Sequence, residues 1–145
     1  MRHTGVVQLP TPLEALVLKS GLNIAALAEA DRDLVVALAA CALEPDRAWR
    51  EDEVNRRLEA WLAGVGSMLR TDHVELRRWL VDMRFVQRDD WGRAYGHGRA
   101  ECERARMLLG SSDARALEAA VRAVRVAAQH ARLARRQAYD ARRAP

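Results

Sequence analysis

The spacing of apolar residues along the chain predicts several helices and one short β-hairpin. Between residues 23 and 43, apolar positions recur at intervals of three, four and seven, and residues 51–63 and 72–84 repeat this pattern. The inward stripes of these stretches comprise Ile24, Leu27, Leu34, Leu38 and Cys41; Val54, Leu58, Trp61 and Leu62; and Leu76, Leu80 and Met83. We therefore expect amphipathic helices that pack on one another.

Local signals predict where other helices begin and end. Thr11 and Glu14 have the spacing of a capping box, which predicts a short first helix over residues 12–19. The charged patch at 29–33 leaves open whether the stretch from 23 to 43 is one helix or two. Further helices are predicted over 100–109 and, after a capped break at 110–113, over 114–142.

The helical spacing of apolar residues ends after Arg84. The segment Phe85–Arg88 is typical of a strand, the residues Asp89, Asp90 and Gly92 are typical of a turn, and Arg93–Tyr95 forms a second strand segment. These residues predict a two-stranded hairpin.

Three helices followed by a hairpin, between residues 31 and 96, form the order of a winged helix-turn-helix. We therefore predict a mainly α fold: a winged helix-turn-helix-like domain with a short β-hairpin and a long C-terminal helix. The predicted organisation is an N-terminal extension with a short helix (1–20), the winged-helix-like domain (21–98) and an Arg-rich helical extension (99–145).

In a winged helix, the third helix enters the major groove and the wing contacts the backbone. The outward positions predicted for that helix include Glu75 and three arginines, and two more arginines flank the wing turn. Arginine reads guanine O6 and N7 with two hydrogen bonds, or holds a phosphate. The candidate nucleic-acid-binding residues are therefore Arg77, Arg78, Arg84, Arg88 and Arg93.

Acidic residues on the same surface support another interpretation. Asp72, Glu75 and Asp82 lie on the third helix, and two more acids lie in the wing turn. Glu75 and Asp82 are three and four residues from Arg78, a spacing that favours ion pairs along a helix. In this interpretation the face is neutralised by its own residues and exposed to solvent.

The positive charge belongs to the C-terminal part of the chain. Residues 1–110 contain 16 basic and 17 acidic residues, whereas residues 111–145 contain 8 basic and 3 acidic residues. On the last helix an apolar face comprises Leu117, Val121, Val124, Ala128 and Ala131, and a second face comprises Arg115, Arg122, Arg125, Arg132, Arg136 and Arg143. Such a helix packs on its own body, pairs with a second chain to form a homodimer, or lies along a polyanion.

Motifs for catalysis and for cofactors are missing from the sequence. Its four histidines are scattered without metal-ligand spacing, and it has no phosphate-binding glycine loop, dinucleotide fingerprint or nucleophile elbow. No apolar run has the length of a membrane span, and the first ten residues lack a signal-peptide stretch. We therefore expect a non-enzymatic, cytoplasmic protein without metal or cofactor.

Two segments, EDEVNRRLEAWL and DHVELRRWLVDMRFVQRDDWGRAY, resemble a bacterial domain family of unknown function. That family occurs alone or joined to small winged-helix regulators and acetyltransferases. The residues that carry the resemblance are Glu53, Val54, Asn55, Leu58, Asp72, Leu76, Arg77, Arg78, Leu80, Val81, Asp82, Phe85, Val86, Arg88 and Tyr95. The resemblance covers about residues 21–96 and implies an association with transcription regulation.

This chain departs from the family pattern in one place that concerns DNA binding. The connection between Asn55 and Asp72 is longer than in the family, by roughly the segment AGVGSMLR. A longer connection alters a tight helix-turn-helix. Two hypotheses therefore stay open: a DNA-binding or transcription-associated regulator, and a protein–protein interaction module without direct DNA contact.

Overall fold

The computed structural model describes residues 6–89 and 94–144 of the chain. Within these residues, the elements are α1 (Thr11–Val17), a 3₁₀ turn (Ile24–Ala26), α2 (Glu29–Ala40), β1 (Trp49–Arg50), α3 (Glu51–Ala63), α4 (His73–Asp82), β2 (Gln87–Arg88), β3 (Ala94–Gly96), α5 (Arg99–Leu109) and α6 (Ala114–Arg143).

The three strands form one antiparallel sheet in which β3 lies between β1 and β2. Trp49 of β1 and Arg88 of β2 both pair with Tyr95, from opposite sides of β3. From α2 to β3 the order is helix, strand, helix, helix, strand, strand, which is the order of a winged helix. The prediction of a mainly α, winged-helix-like fold with a long C-terminal helix is therefore confirmed.

The first strand of this sheet was missing from the sequence prediction, which has no strand before the helix over residues 51–63. β1 has only two residues, too few to show the alternation that identifies a strand. Trp49 is buried and its Nε1–H donates a hydrogen bond to the carbonyl of Glu44, 3.1 Å away. Its tertiary contacts, rather than a local pattern, hold this segment in the sheet.

Two predictions about the N-terminal helices were only partly right. α1 begins at Thr11, and its N-cap residue is Pro10, which has no polar side chain to cap the helix. The Glu14 carboxylate accepts a hydrogen bond from the Gln8 amide at 2.5 Å. The stretch from 23 to 43 is divided. Arg32 of α2 reaches back to donate to the carbonyls of three residues in and beside the 3₁₀ turn, at 2.9–3.1 Å.

Helix α2 is the centre of the core. Every residue from Leu34 to Ala40 is buried, and the helix packs against α1, α4 and α5. Ala37, Ala39 and Ala40 are small enough to let these neighbours approach closely. This continuous burial explains why the sequence of α2 is apolar on more than one face.

The connection from α3 to α4 is a packed segment rather than a tight turn. Met68 and Leu69 are buried, and Leu69 forms an isolated parallel bridge with Leu22. Gly66 lies so close to Trp61 that a Cβ atom there would be 2.2 Å from the indole ring. The additional residues of this connection therefore fasten the N-terminal segment to the domain.

Helix α6 packs on the body along its first half only. Leu117, Ala120 and Val121 are its buried residues, and every described residue from Gln129 onward is exposed. The predicted arginine face is wrong at Arg125, which points into the body and not to solvent. Its guanidinium donates to the carbonyls of Val17, Gly64 and Val65 at 2.8–3.1 Å.

No helix in the described part of the chain combines the length and the apolar character that crossing a membrane requires.

Candidate nucleic-acid interface

Helix α4 is held firmly at its first turn. The Asp72 carboxylate caps the helix by accepting a hydrogen bond from the backbone N–H of Glu75 at 2.8 Å. Leu76 and Leu80 are buried beneath the helix. These contacts leave a line of exposed residues, Val74, Arg78 and Asp82, at successive intervals of four along the outer side of α4.

Arg77 does not face outward, which corrects the sequence prediction. Its guanidinium donates a hydrogen bond to the Asn55 side-chain oxygen and pairs with Glu51 at 3.0 Å, and its side chain is only 18 % exposed. The same group lies 5.7 Å from the centre of the Tyr95 ring. Arg77 therefore connects α4 to α3 and to the central strand of the sheet.

Arg78 and Arg88 line one cleft between α4 and the hairpin strands. The cleft has a volume of about 320 Å³. Its lining residues are Val74, Arg77, Arg78, Val81, Asp82, Arg88 and Tyr95. Arg78 and Arg88 are exposed, and within the described residues neither side chain has a hydrogen-bond partner or a carboxylate within 4.0 Å.

Arg84 lies beyond the end of α4, whereas the prediction placed it in the last turn of the helix. Its backbone is in the left-handed region, with φ of 61°, where the chain turns from α4 toward β2. The following residue, Phe85, is fully buried, and Arg104 of α5 stacks on its ring at 4.0 Å. The turn leaves Arg84 exposed at the edge of α4.

Arg93 lies outside the described residues, together with Asp90, Trp91 and Gly92 of the expected wing turn. The prediction that Arg93 contacts a phosphate stays a prediction. The strands on either side of this segment, β2 and β3, are paired as the hairpin prediction requires.

The carboxylates of α4 do not neutralise Arg78 in the predicted way. Glu75 is bound on both oxygens, by the Thr71 hydroxyl at 2.9 Å and by the Trp79 indole N–H at 3.4 Å. Asp82 lines the cleft, but its carboxylate is not among the ion pairs of the described residues. The cleft therefore combines two arginines, one carboxylate and the exposed apolar side chain of Val74.

Val74 and Tyr95 are residues of the cleft that sequence reasoning did not single out as functional. Val74 is 41 % exposed, whereas the other side of α4 carries buried leucines. Its position four residues before Arg78 was the available signal, because that interval places both on one helix face. Tyr95 gave no such signal, since its place in the cleft follows from the pairing of β3 with β2.

His97 and Cys102 form a buried polar contact next to the hairpin. His97 Nε2 lies 2.5 Å from the Leu43 carbonyl and its Nδ1 lies 3.4 Å from the Cys102 sulfur. Burial raises the pKa of the Cys41 thiol to about 12 and also raises that of Cys102. Both cysteines are therefore thiols rather than reactive thiolates at neutral pH.

His73, another of the four histidines, has its Nδ1 atom 3.3 Å from the Glu59 carboxylate on the neighbouring helix α3. In the described ranges, no three His, Cys, Asp or Glu side chains are placed to hold a metal ion together.

Residues 27–97 match the model of the DUF2087 family, described as an uncharacterized protein conserved in bacteria. The matched residues extend from the 3₁₀ turn that precedes α2 to the end of β3, and so include the whole cleft. This match confirms the resemblance to a bacterial domain family of unknown function. No curated protein and no solved structure matches the chain.

Proposed function

We propose that this chain, whose residues 27–97 match a bacterial family without an assigned activity, is a non-enzymatic, cytoplasmic regulator that binds double-stranded DNA. The observation that carries the proposal is the cleft between α4 and the hairpin. Two exposed arginines without carboxylate partners, Arg78 and Arg88, face it in the described residues. Winged-helix proteins use the same two elements for the groove and the backbone.

The proposed contacts follow from the place of each side chain. Arg78 lies at the centre of the exposed side of α4, where it would donate two hydrogen bonds to a guanine in the major groove. Val74 would contact a thymine methyl group. Arg84 and Arg88 would hold phosphates at the edge of α4 and beside the hairpin strands. The phosphate contact predicted for Arg93, which lies outside the described residues, rests on the sequence alone. Arg77 is excluded from this set, because Asn55 and Glu51 already occupy its guanidinium.

Electrostatics set the expected strength of this contact. Residues 27–97 contain 14 acidic and 11 basic residues, so the net charge of this region alone does not attract DNA. The second half of α6, residues 129–143, carries five arginines and one aspartate. We therefore propose that this helix supplies the long-range attraction and the cleft supplies the sequence reading.

The test is selection from a random pool of duplex DNA at ~150 mM salt, where purely electrostatic binding is weak. We expect enrichment of a reproducible motif that contains guanine. Replacing Arg78 by Ala should relax the preference at one base pair, at a cost of about 1–3 kcal/mol in binding. Replacing Arg88 by Ala should weaken all sequences alike and lower the salt slope by about 1.

Arg115 provides a matched control for these substitutions. It is exposed, has no ion pair in the described residues and does not line the cleft. Arg115→Ala removes the same charge and should leave the selected motif unchanged. The proposal of sequence reading fails if the pool yields no motif, or if Arg115→Ala and Arg78→Ala weaken binding equally.

Exposed apolar side chains from Val126 onward on α6 support a homodimer as part of the same proposal. Val126 and Leu133 are 42 % and 49 % exposed and lie seven residues apart, on one face of the helix. A segment of helix that packs on nothing gains stability from a partner helix. A dimer through this face would present two α4 helices to the two halves of a palindromic site.

The other candidate function, a protein–protein interaction module, uses the same helix differently. Its excess of arginine favours an acidic partner protein rather than a second copy. Sedimentation at several salt concentrations distinguishes a homodimer from a complex with an acidic partner, because salt changes the two affinities in opposite directions. A homodimer of like-charged helices becomes tighter as salt screens the repulsion, whereas binding to an acidic partner becomes weaker.

A further inference from the structure

A second pocket lies on a different part of the molecule, where α2, α3 and the first turn of α6 meet. Its volume is about 230 Å³. Leu38 of α2, Trp61 of α3, Val65 and Leu117 of α6 form apolar walls, and the charged lining residues are Arg57 and Glu118. None of these residues takes part in the cleft between α4 and the hairpin.

The walls and the size favour one kind of occupant. An apolar cavity of ~150 Å³ holds a benzene ring, and ordered water needs polar partners that apolar walls do not supply. The volume of this pocket therefore suits a single aromatic ring with a short side chain. It is smaller than the roughly 300–1,000 Å³ of sites for drug-sized ligands.

The two charged lining residues indicate which polar group a bound aromatic molecule would carry. Glu118 is already paired with Arg122 of the same helix at 2.9 Å. Arg57 has a carboxylate only at 4.0 Å, that of Glu44, and its side chain is 46 % exposed. The Arg57 guanidinium also lies over the Trp49 ring, 5.2 Å from its centre. This contact uses the flat face of the guanidinium and leaves the N–H groups at its edge free for an anion.

We propose that this pocket binds a small aromatic monocarboxylate, with the ring among Leu38, Trp61 and Leu117 and the carboxylate on Arg57. This proposal does not depend on the proposed DNA binding. The experiment below measures binding of a small molecule in the absence of DNA, so either proposal can fail without the other. The same helix α3 carries Glu51 and Asn55, which hold Arg77 of α4. The ligand would thus contact the helix that positions the proposed recognition helix.

The experiment titrates the full chain with 3-phenylpropionate and, separately, with the neutral amide of the same shape, 3-phenylpropionamide. The readout is the indole N–H resonance of Trp61, identified by its loss in Trp61→Phe. We expect a saturable shift with the acid and about tenfold weaker binding of the amide. Arg57→Gln should make the two compounds bind equally, whereas the neighbouring Arg56→Gln, which does not line the pocket, should not.

A larger side chain at Ala60 would occupy the pocket from its solvent-exposed side. Ala60 is exposed on α3 and lines the pocket, so Ala60→Phe should block both compounds without disturbing the core. Ala119→Phe, at an exposed position of α6 outside the pocket, should leave binding intact. If Ala60→Phe fails to fold, Ala114→Phe fills the pocket from the opposite wall.

The proposal is overturned if neither compound shifts Trp61 in a saturable way. It is equally overturned if filling the pocket leaves binding unchanged, or if wild-type protein binds the acid and the amide alike.

Discussion

Arg125 and Arg132 lie two turns apart on α6, and their surroundings differ completely. Arg125 is half-buried, and its guanidinium donates to the carbonyl of Val17, at the end of α1, and to those of Gly64 and Val65, just beyond the end of α3. Burial lowers the pKa of Arg125. Arg132 is exposed and has no ion pair within the described part of the chain. The same residue type therefore holds the body together in one half of α6 and supplies free positive charge in the other.

The same contrast occurs over a shorter distance on α4. Arg77 binds Asn55 and Glu51, whereas Arg78, the next residue, is exposed to the cleft without a partner in the described residues. In both places, oxygen atoms of a neighbouring element lie within hydrogen-bonding distance of the structural arginine. Arg78 stays available for a phosphate or a base because no carboxylate of the described residues, including that of Asp82 in the same cleft, lies within 4.0 Å of its guanidinium.

The largest expected effect is on packing in the docked half of α6. Leu117 is 1 % exposed, so Leu117→Ala should lower the free energy of unfolding by about 2–5 kcal/mol. Leu133 is 49 % exposed, and Leu133→Ala should change the stability of the monomer by less than about 0.5 kcal/mol. Urea unfolding of both variants checks this difference. Equal effects would mean that the two halves of α6 are packed alike.

Arg125 is expected to have the next largest effect. Arg125→Met keeps the aliphatic stem but removes the donor to the carbonyls of Val17 and Val65, while the Gly64 carbonyl keeps the backbone N–H of Ser67. The loss should cost about 1–3 kcal/mol of stability. Arg132→Met removes the same charge from the exposed half and is the matched control. Thermal unfolding at two salt concentrations measures both. A loss in Arg132→Met as large as that in Arg125→Met would contradict the assignment of Arg125 as the structural residue.

Arg77 and Asn55 test the contrast on α4. Arg77→Ala and Asn55→Ala should each lower stability by about 1–2 kcal/mol, because each removes the partly buried hydrogen bond between the two side chains. The double variant should cost less than the sum, with a coupling of at least about 0.5 kcal/mol. Arg78→Ala should be neutral in the same unfolding experiment. Additive single effects would show that the two side chains do not interact in solution.

These expectations mark the limit of what the sequence alone could predict. Helix α3 and the long helix α6 were predicted almost to the residue, because periodicity and the Asp113 cap are local signals. The orientation of Arg77 and Arg125 was not predictable in this way. Their partners are 22 and up to 108 residues distant in the sequence, and nothing near either arginine indicates them. β1 escaped prediction for the same reason, since Tyr95 defines its place in the sheet.

In the candidate site, too, features that depend on sequence order were predictable, whereas those that depend on side chains brought together by the fold were not. Sequence order alone placed α4 and the hairpin next to each other, and so Arg78 and Arg88 were correctly brought to one surface. The predicted pairing of Glu75 with Arg78 failed, because Thr71 and Trp79 compete for the Glu75 oxygens. The spacing of charges along a helix shows which pairs are possible, and the surrounding residues decide which of them form.

The smallest expected effect on stability comes from removing the exposed half of α6. A chain that ends at Ala128 loses only exposed residues from the described part, so its melting temperature should match that of a wild-type monomer. The helical circular dichroism signal should fall, because residues 129–143 are helical in the full chain. Melting at several protein concentrations adds a second comparison. If α6 also pairs two copies, the wild-type melting temperature rises with concentration and that of the shortened chain does not.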